Sequence, residues 1–365
     1  MRIAILTFHR AYNCGAMLQA WALKTVLERM GHKVAFPFGD YFNVLPKFPI
    51  KSPLSDRCRT GPFFRRIRSF VYRLILAMCG KKSGISAGRY YEAFQRAQLP
   101  ELICSEAEFK KHFDIIVLGS DQVLNPNIRG WTPYFLCQNV PSEIKKIAYS
   151  ASIGENPLSM ESKYQIINAL TSFSAVSVRE PFQNFPVTAD PTLLLKQEDY
   201  NVLVKPFRRR REYLYMYSIE TTPFEIDIAR RIAAYLGIDL LITPLWGMYH
   251  RKPCREMSDK ISPSYLVSYI RGAKYVLAGS FHGVAVALLH RKPFLNILPD
   301  QRKAKRVSTL LERIGESSRI VNPTITLDEM IARLVRPLDE KCYMQLERYR
   351  KESLEWLQKA INHKD

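Results

Sequence analysis

Short apolar runs alternate with longer amphipathic stretches along most of the chain. Near the N-terminus, residues 2–8 predict a strand, residues 16–30 a helix and residues 33–38 a second strand. Strand, helix and strand in this order are the usual start of a parallel, doubly wound sheet. Three more apolar runs predict further strands of the same sheet, at residues 113–119, 146–151 and 174–180.

The same alternation begins again after a polar stretch and an arginine run at residues 195–211. Strands are predicted at 212–217, 240–244 and 275–278, and a long final helix at 341–362. We therefore predict an α/β fold with two Rossmann-like domains facing a cleft, as in the glycosyltransferase B architecture, and a long C-terminal helix. The expected boundaries are residues 1–200 with a basic insertion at about 40–98, residues 201–345, and residues 346–365.

Within the insertion, residues 63–78 place apolar side chains at helical spacing and four arginines on the opposite face. This pattern predicts a basic amphipathic helix. The preferred interpretation is a helix packed on the N-terminal sheet with a solvated basic face. The alternative is a helix that lies on an anionic membrane surface.

Residues 274–294 predict a strand, a tight loop and a buried helix, with glycines on both sides of the loop. Ligands of open α/β sheets bind at such loops, beyond the carboxyl ends of the strands. A helix that begins there offers free N–H groups and a positive dipole to an anion. His282 is therefore a candidate acid or base, the alternative being a histidine of the core or of a helix cap.

Three other loops at predicted strand ends carry polar candidates. Asn13 and Gly15 place a tight turn at a helix start, with Gln19 one turn further on, which fits ligand binding or plain helix-start chemistry. Asp121 could act as a base, bind a hydroxyl group or cap a helix. Arg179 could bind a carboxylate or phosphate with two N–H groups, or pair with Glu180.

The chain carries a formal net charge of +20, with 54 Lys and Arg against 34 Asp and Glu. Such an excess favours an anionic partner. We do not expect nucleic acid, because no RNA- or DNA-binding motif surrounds the basic clusters. The seven scattered cysteines form no CxxC pair, which indicates free thiols, no zinc site and a reducing cytoplasm. We predict no secretory leader and no membrane span.

Five short motifs follow one another in a characteristic order. They are Thr7-Phe8-His9-x-Ala11-x-Asn13-x-Gly15-Ala16-x-Leu18-Gln19, Gly119-Ser120-Asp121-Gln122-Val123-x-Asn125, Ser177-x-Arg179-Glu180, Asp190-Pro191-Thr192 and Ser280-Phe281-His282-Gly283. Together they resemble the polysaccharide pyruvyl transferase family over essentially the whole chain. The resemblance implies transfer of the pyruvyl unit of phosphoenolpyruvate to a pair of sugar hydroxyls, giving a ketal and phosphate, with no further cofactor.

The resemblance also suggests roles for single residues. His282 is similar to the family's proposed acid/base histidine, and Asp121 joins it as a catalytic candidate. The donor-binding candidates are Arg179, Ser280, Gly283 and Arg306. The acceptor-binding candidates are His9, Asn13, Gly15, Gln19, Ser120, Gln122 and Asn125. Family members carry arginine where this chain has Ser280. This difference leaves a catalytically inactive sugar-binding relative as one alternative.

The chemistry that the resemblance implies fits these residue types. A donor with a carboxylate and a phosphate needs cationic groups and N–H donors. Ketal formation needs one proton delivered to the methylene carbon and one removed from the attacking hydroxyl. His282 can perform one transfer, and either Asp121 or His9 the other. A nucleotide-sugar glycosyltransferase of the same fold is the second alternative. The expected acceptor is a saccharide, including a lipid-linked one held beside the anionic inner membrane surface by the basic residues 51–96.

Overall fold

The computed structural model describes residues 1–38 and 83–363, with gaps at 105–107, 129, 139, 155–156, 208, 219–221, 245–255, 257, 259, 298–304 and 322–323. The predicted basic helix at 63–78, and most of the insertion that contains it, lie outside the described residues. Both halves of the chain are α/β units built on a parallel sheet.

The first half contains a six-stranded parallel sheet. Its strands are β1 (Arg2–Leu6), β2 (Lys33–Phe38), β3 (Glu101–Ile103), β4 (Ile115–Leu118), β5 (Lys145–Ala151) and β6 (Ala175–Val178). The order β3-β2-β1-β4-β5-β6 is that of a Rossmann-type sheet. Because the order reverses between β1 and β4, the loops that follow these two strands diverge and leave a crevice where ligands can bind.

The second half repeats this plan with five parallel strands. They are β7 (Tyr213–Ser218), β8 (Asp239–Pro244), β9 (Tyr275–Ala278), β10 (Phe294–Ile297) and β11 (Ile320–Val321), in the order β11-β10-β9-β7-β8. The order reverses between β7 and β9, so the loop that contains Ser280 leaves the sheet at its own crevice.

Helices connect the strands of both sheets. In chain order they are α1 (Cys14–Arg29), α2 (Ser83–Gln98), α3 (Phe109–His112), α4 (Met160–Leu170), α5 (Pro191–Leu194), α6 (Pro223–Tyr235), α7 (Pro263–Gly272), α8 (Phe281–Leu289), α9 (Lys305–Arg313), α10 (Leu327–Val335) and α11 (Glu340–Asn362). The predicted fold class is therefore confirmed, since both sheets are parallel and covered by helices and a long helix ends the chain.

Several elements were not predicted from the sequence, among them the short helices α3 and α5. The strand β3 has only three residues and the strand β10 four, too few for a clear period of two. Helix α4 begins after Ser159, whose side chain caps it. Helix α2 begins at Ser83, within residues 81–88 that the polar sequence had indicated as a flexible link. Its buried Tyr91 and Phe94 join the core of the first half.

The two halves contact each other through α1 and α8, the helices that begin at their respective crevices. One cluster of buried side chains runs from Ile3 and Leu18 to Tyr215 and Val284. All nine residues of α8 are buried. The first turns of both helices therefore lie at the interface between the halves.

Candidate functional site

Gly15 and His282 are in direct contact across the interface between the two halves. A Cβ atom on Gly15 would lie 2.1 Å from Nδ1 of His282 and 2.5 Å from its Cγ. Gly15 is the second residue of α1, and Asn13 caps that helix by accepting hydrogen bonds from the N–H groups of Gly15 and Ala16. The imidazole of His282 therefore packs directly on the bare backbone of α1.

Asp190 receives hydrogen bonds from several elements at once. Its Oδ1 accepts from the backbone N–H of Thr192 at 3.0 Å and from the Thr192 hydroxyl at 2.7 Å, which caps the short helix α5. Its Oδ2 accepts from Ser120 Oγ at 2.9 Å and from Arg179 Nη1 at 2.9 Å. The Nε2 atom of His282 lies 3.5 Å from the same oxygen. Asp190 of the first half is thus the acidic neighbour of His282 of the second half.

These neighbours determine the ionisation of Asp190. Burial raises the pKa of a carboxyl group, but the charges of His282 and Arg179 and the Thr192 N–H outweigh this effect and hold the pKa of Asp190 well below its usual range. Asp190 is therefore a carboxylate at neutral pH.

Arg179 lies at the end of β6 with its side chain only 1% exposed. Besides Asp190, it faces Asp121 Oδ1 at 3.8 Å and Glu180 Oε2 at 3.7 Å, and its Cζ atom lies 4.7 Å from the centre of the Phe281 ring. Burial lowers its pKa, but the three carboxylates outweigh burial and raise it. The guanidinium therefore stays charged.

Two N–H groups of Arg179 are left for a ligand. Its Nε and Nη2 atoms are buried without a hydrogen-bond partner among the described residues, as is Nε2 of His282. A buried donor without a partner costs about 1–3 kcal/mol. Nε and Nη2 of Arg179 face carboxylates without donating hydrogen bonds to them, and with Nε2 of His282 they form a group of buried polar atoms between the halves.

Asp121 has an unusual backbone, with φ at 72°. Its carbonyl oxygen accepts hydrogen bonds from the N–H groups of Val123 and Ser152, which fix this left-handed turn directly beyond β4. Asp is among the residue types that adopt this conformation most readily. The turn places the partly accessible carboxylate of Asp121 beside Arg179.

The polar side chains after Asp121 mainly support the loop. Asn125 donates from Nδ2 to Gln122 Oε1 at 2.8 Å and accepts the N–H of Asn127 at 3.0 Å. Both amides pack against Gly154, whose φ is +78° and where a Cβ would come within 2.4 Å of them. Ser120 is fully buried and donates to Asp190.

His9 and Gln19 are engaged in the interior of the first half. The two ring nitrogens of His9 lie 3.1 Å from the Thr7 carbonyl oxygen and 3.1 Å from Glu101 Oε1. Gln19 is fully buried, and its amide nitrogen donates to Thr7 Oγ1 and to the Ala16 carbonyl. The Oε1 atom of Gln19 is buried and has no hydrogen-bond partner among the described residues.

The donor-binding candidates of the second half lie at the start of α8 and in α9. Ser280 caps α8, since its Oγ accepts from the N–H of Gly283 at 3.2 Å. Arg306 lines a cavity of about 10 Å³ together with Arg179, Asp190 and Phe281. This volume is close to the minimum that one water molecule requires. In this conformation the cavity has no room for a ligand larger than water.

Asp190 was quoted in a motif but received no role at the sequence level. The signal was present, since Asp followed by Pro and Thr is a typical helix start with proline in the first turn. Nothing in the sequence indicated that Asp190 lies beside His282 of the other half.

Among the described residues, no group of three or more His, Cys, Asp or Glu is arranged to hold a metal ion. Within the same residues, no helix is both long and apolar enough to cross a membrane.

Solved structures that resemble this chain include several glycosyltransferases. SnogD from Streptomyces nogalater is 12% identical, with a TM-score of 0.42 over 99% of this chain and 98% of that one. UGT89C1 from Arabidopsis thaliana, complexed with UDP-L-rhamnose, is 10% identical, with a TM-score of 0.41 over 97% and 94%. No curated protein matches the sequence.

The family comparison covers most of the chain. The model described as "Polysaccharide pyruvyl transferase" matches residues 13–301. This range begins in the loop that precedes α1 and extends past α8, so it includes Asp121, Arg179, Asp190 and His282. The chain belongs to the polysaccharide pyruvyl transferase family.

Proposed function

We propose that this protein transfers the pyruvyl unit of phosphoenolpyruvate to two hydroxyl groups of a saccharide, forming a pyruvate ketal. The observation that carries the proposal is the group formed by His282, Asp190 and Arg179. It combines a histidine whose Nε2 has no hydrogen-bond partner among the described residues, a carboxylate 3.5 Å from that atom and a buried arginine whose Nε and Nη2 form no hydrogen bond with those residues. An acid and an anion-binding group are two of the requirements of this transfer.

The donor would bind between Arg179 and the start of α8. The Nε and Nη2 groups of Arg179 suit two oxygens of a carboxylate or phosphate. The free N–H groups and positive dipole at the N-terminus of α8 favour an anion nearby. Arg306 would add a second positive charge from α9. Ser280 supplies no charge, so this chain would hold the donor with one arginine fewer than its relatives.

The reaction needs one proton delivered to the donor and one removed from each of the two sugar hydroxyls. Protonated His282 gives its proton to the methylene carbon of phosphoenolpyruvate, and the neighbouring carbon becomes cationic. A sugar hydroxyl oxygen attacks that carbon and loses its proton to a base. Phosphate then leaves with the electron pair of its C–O bond, the second hydroxyl attacks the same carbon and loses its proton to the departing phosphate, and the ketal is complete. Asp190, whose Oδ2 lies 3.5 Å from Nε2 of His282, keeps the imidazole oriented.

Asp121 is better suited than His9 to accept the hydroxyl proton. Both ring nitrogens of His9 already face oxygen atoms. The carboxylate of Asp121 is 11% exposed, belongs to the loop that follows β4 and lies 3.8 Å from Nη2 of Arg179. The acceptor would therefore lie against the loops that follow β1 and β4, with Asn13, Ser120, Gln122 and Asn125 supporting or contacting it.

Calorimetry with phosphoenolpyruvate tests the donor. We expect saturable binding by the wild type and by His282→Asn, and at least tenfold weaker binding by Arg179→Lys, which keeps the charge but loses the two-pronged geometry. With saccharide acceptors, His282→Asn should release phosphate at least a hundredfold more slowly. Circular dichroism shows whether each variant is folded. Absence of donor binding by the folded wild type, together with binding of a nucleotide-sugar, would favour the glycosyltransferase alternative.

We also propose that the protein works at the cytoplasmic face of a membrane on a lipid-linked acceptor. The support is the net charge of +20, because each well-placed Lys or Arg adds about 1 kcal/mol of attraction to an anionic leaflet. Co-sedimentation should then be strong with vesicles that contain anionic lipid and weak with neutral vesicles. Equal sedimentation with both would contradict this proposal.

A further inference from the structure

A second pocket, of about 230 Å³, lies between the loop after β1 and helix α2. Its lining consists of Arg10, Tyr12, Glu92, Gln95, Arg96 and Glu101. Drug-sized ligands occupy pockets of about 300–1,000 Å³. A pocket slightly below this range, lined by four ionised groups, an amide and a phenol, suits one small ligand rich in hydroxyl groups.

The two carboxylates of this pocket already have partners. Glu101 Oε1 accepts from Gln95 Nε2 at 2.6 Å and lies 3.1 Å from both His9 Nε2 and Arg10 Nε. Burial raises the pKa of Glu101, but these neighbours outweigh it and lower the pKa, so Glu101 stays ionised. Glu92 Oε1 accepts the hydroxyl proton of Tyr12 at 2.7 Å. The charge of Glu101 is therefore compensated by Arg10, whereas Glu92 keeps its charge beside a neutral phenol.

The positive charge of Arg96 is not compensated in this way. Arg96 lies in the last turn of α2 with an exposed side chain, and no hydrogen bond or ion pair joins it to another described residue. Its guanidinium therefore remains available for an acidic group of a ligand.

The pocket and the catalytic group share one loop. Arg10 and Tyr12 line the pocket, and Gly15, three residues further on, contacts His282. The ring of Tyr12 is stacked on Tyr91 at 5.4 Å between centroids, and the Tyr91 hydroxyl lies 3.2 Å from Cys14 Sγ. A sugar chain bound in the pocket could thus continue along this loop toward the interface between the halves.

We infer that this pocket binds an acidic sugar residue of the acceptor, with its carboxylate or phosphate on Arg96 and its hydroxyls on Glu92, Gln95 and Arg10. The inference rests on the proposed function for the identity of the acceptor. It adds that the acceptor is anionic and that Arg96, outside every motif of the family, determines this preference.

Saturation-transfer NMR on the full chain tests the inference with glucose, glucuronic acid and glucose 1-phosphate as probes. An exposed ion pair contributes about 0.2–1 kcal/mol, so the wild type should bind one acidic sugar about 1.4- to fivefold more tightly than glucose. The acidic probe that binds more tightly identifies the group as carboxylate or phosphate. Arg96→Ala should remove the difference. Arg89→Ala is the matched control, since it removes an exposed arginine of the same helix that does not line the pocket.

Two results would overturn the inference. One is equal affinity of the wild type for the neutral and both acidic sugars. The other is an equal loss of affinity in Arg96→Ala and Arg89→Ala, which would reveal general charge attraction. Parallel titration with phosphoenolpyruvate separates this inference from the proposed function. We expect Arg96→Ala to bind phosphoenolpyruvate as tightly as the wild type does. If the wild type binds an acidic sugar but not phosphoenolpyruvate, the result contradicts the proposed function and leaves the inference about the pocket standing.

Discussion

Gly15 and His282 show how a residue without a side chain can fix the position of a reactive one. The two residues are far apart in sequence, and only a glycine in α1 allows the imidazole to lie against the helix backbone. On the other side of the ring, Nε2 of His282 lies 3.5 Å from Oδ2 of Asp190. The position of His282 at the interface thus depends on two residues of the other half of the molecule.

Gly15→Ala is expected to displace the imidazole of His282. The new Cβ would overlap Nδ1 and Cγ of that ring, and overpacking of this kind costs about 1–3 kcal/mol. We expect at least tenfold slower turnover and a lower midpoint in urea unfolding. In a His282→Ala background the overlaps with Nδ1 and Cγ are gone and the contact with the His282 Cβ at 2.9 Å remains, so the same change should cost less. Additive losses of stability in the double variant would contradict this contact.

Asp190→Asn is expected to lower the free energy of unfolding at pH 7 and to make its decrease at acidic pH smaller. Removing one partner of a buried ion pair costs about 3–5 kcal/mol. Because the folded pKa of Asp190 is lowered, its stabilising effect is complete above its ordinary value of 3.8 and is lost as the pH falls below that value. Urea unfolding at pH 7 and at pH 3 should therefore show a smaller difference for the variant than for the wild type.

Asp239→Asn provides a control for this prediction. Asp239 pairs with Arg209 at 3.5 Å, but its side chain is 41% exposed. Exposed pairs contribute about 0–1 kcal/mol, so the control should stay close to the wild type at both pH values. Equal behaviour of the two variants would show that the contacts of Asp190 contribute no more than those of a surface pair.

At the scale of the element, α8 combines a polar start with an entirely buried body. Its apolar residues on all sides fit a helix packed between the second sheet and helices α1 and α5. Its small and aliphatic residues predicted a buried helix packed against a sheet. Predictions were most accurate for such strongly apolar runs, including β9 with the expected bounds of 275–278. They missed β3 and β10, because three or four residues cannot display a period.

His290 ends α8 and predicts a measurable pH dependence. The ring is 5% exposed, its nitrogens have no hydrogen-bond partner among the described residues, and burial lowers its pKa from 6.5 to about 4. Between these values the unfolded chain binds the proton and the folded chain does not. The free energy of unfolding should therefore decrease by about 3 kcal/mol as the pH falls through this window.

His290→Leu tests this effect directly. Leucine removes the titrating ring while filling the same apolar surroundings. Chemical unfolding from pH 7 to pH 4 should show a shallower decrease for the variant, and its stability at pH 7 should be equal to or above that of the wild type. A decrease of the same slope in both proteins would contradict this role of His290.

At the scale of the whole molecule, the C-terminal helix α11 forms hydrogen bonds with the first half. Arg350 donates from Nε to the Leu193 carbonyl at 2.8 Å, and Ser353 Oγ accepts the Ala189 N–H at 2.9 Å. Both contacts lie next to Asp190. The helix therefore supports the first-half side of the interface, although it follows the second half in sequence.

Leu357→Ala should destabilise the whole protein. Leu357 lies in α11 and is fully buried, and truncating a buried leucine costs about 2–5 kcal/mol. Met344→Ala in the same helix removes a side chain that is 72% exposed and should change the stability by less than about 0.5 kcal/mol. Urea unfolding curves of the two variants give the comparison. Similar midpoints would show that α11 contributes little to the fold.

The candidate site was predictable in part. The motifs contained His282, Arg179 and Asp121, because polar residues directly after buried strands accumulate at the ligand-binding edge of a parallel sheet. They did not reveal that Gln19 is buried with its amide nitrogen already engaged, or that Gln122 and Asn125 pair with each other. Such pairings depend on the path of each loop, which the residue types alone do not define.

The sequence by itself determined the two parallel sheets, the crevice loops and the family, because periodicity and short motifs are local properties of the chain. Only the tertiary structure decided which loops meet. It places Asp190 beside His282, packs the imidazole against Gly15 and packs α11 against the first half. These contacts depend on how two separately wound sheets pack against each other, and residues from both sheets define that surface together.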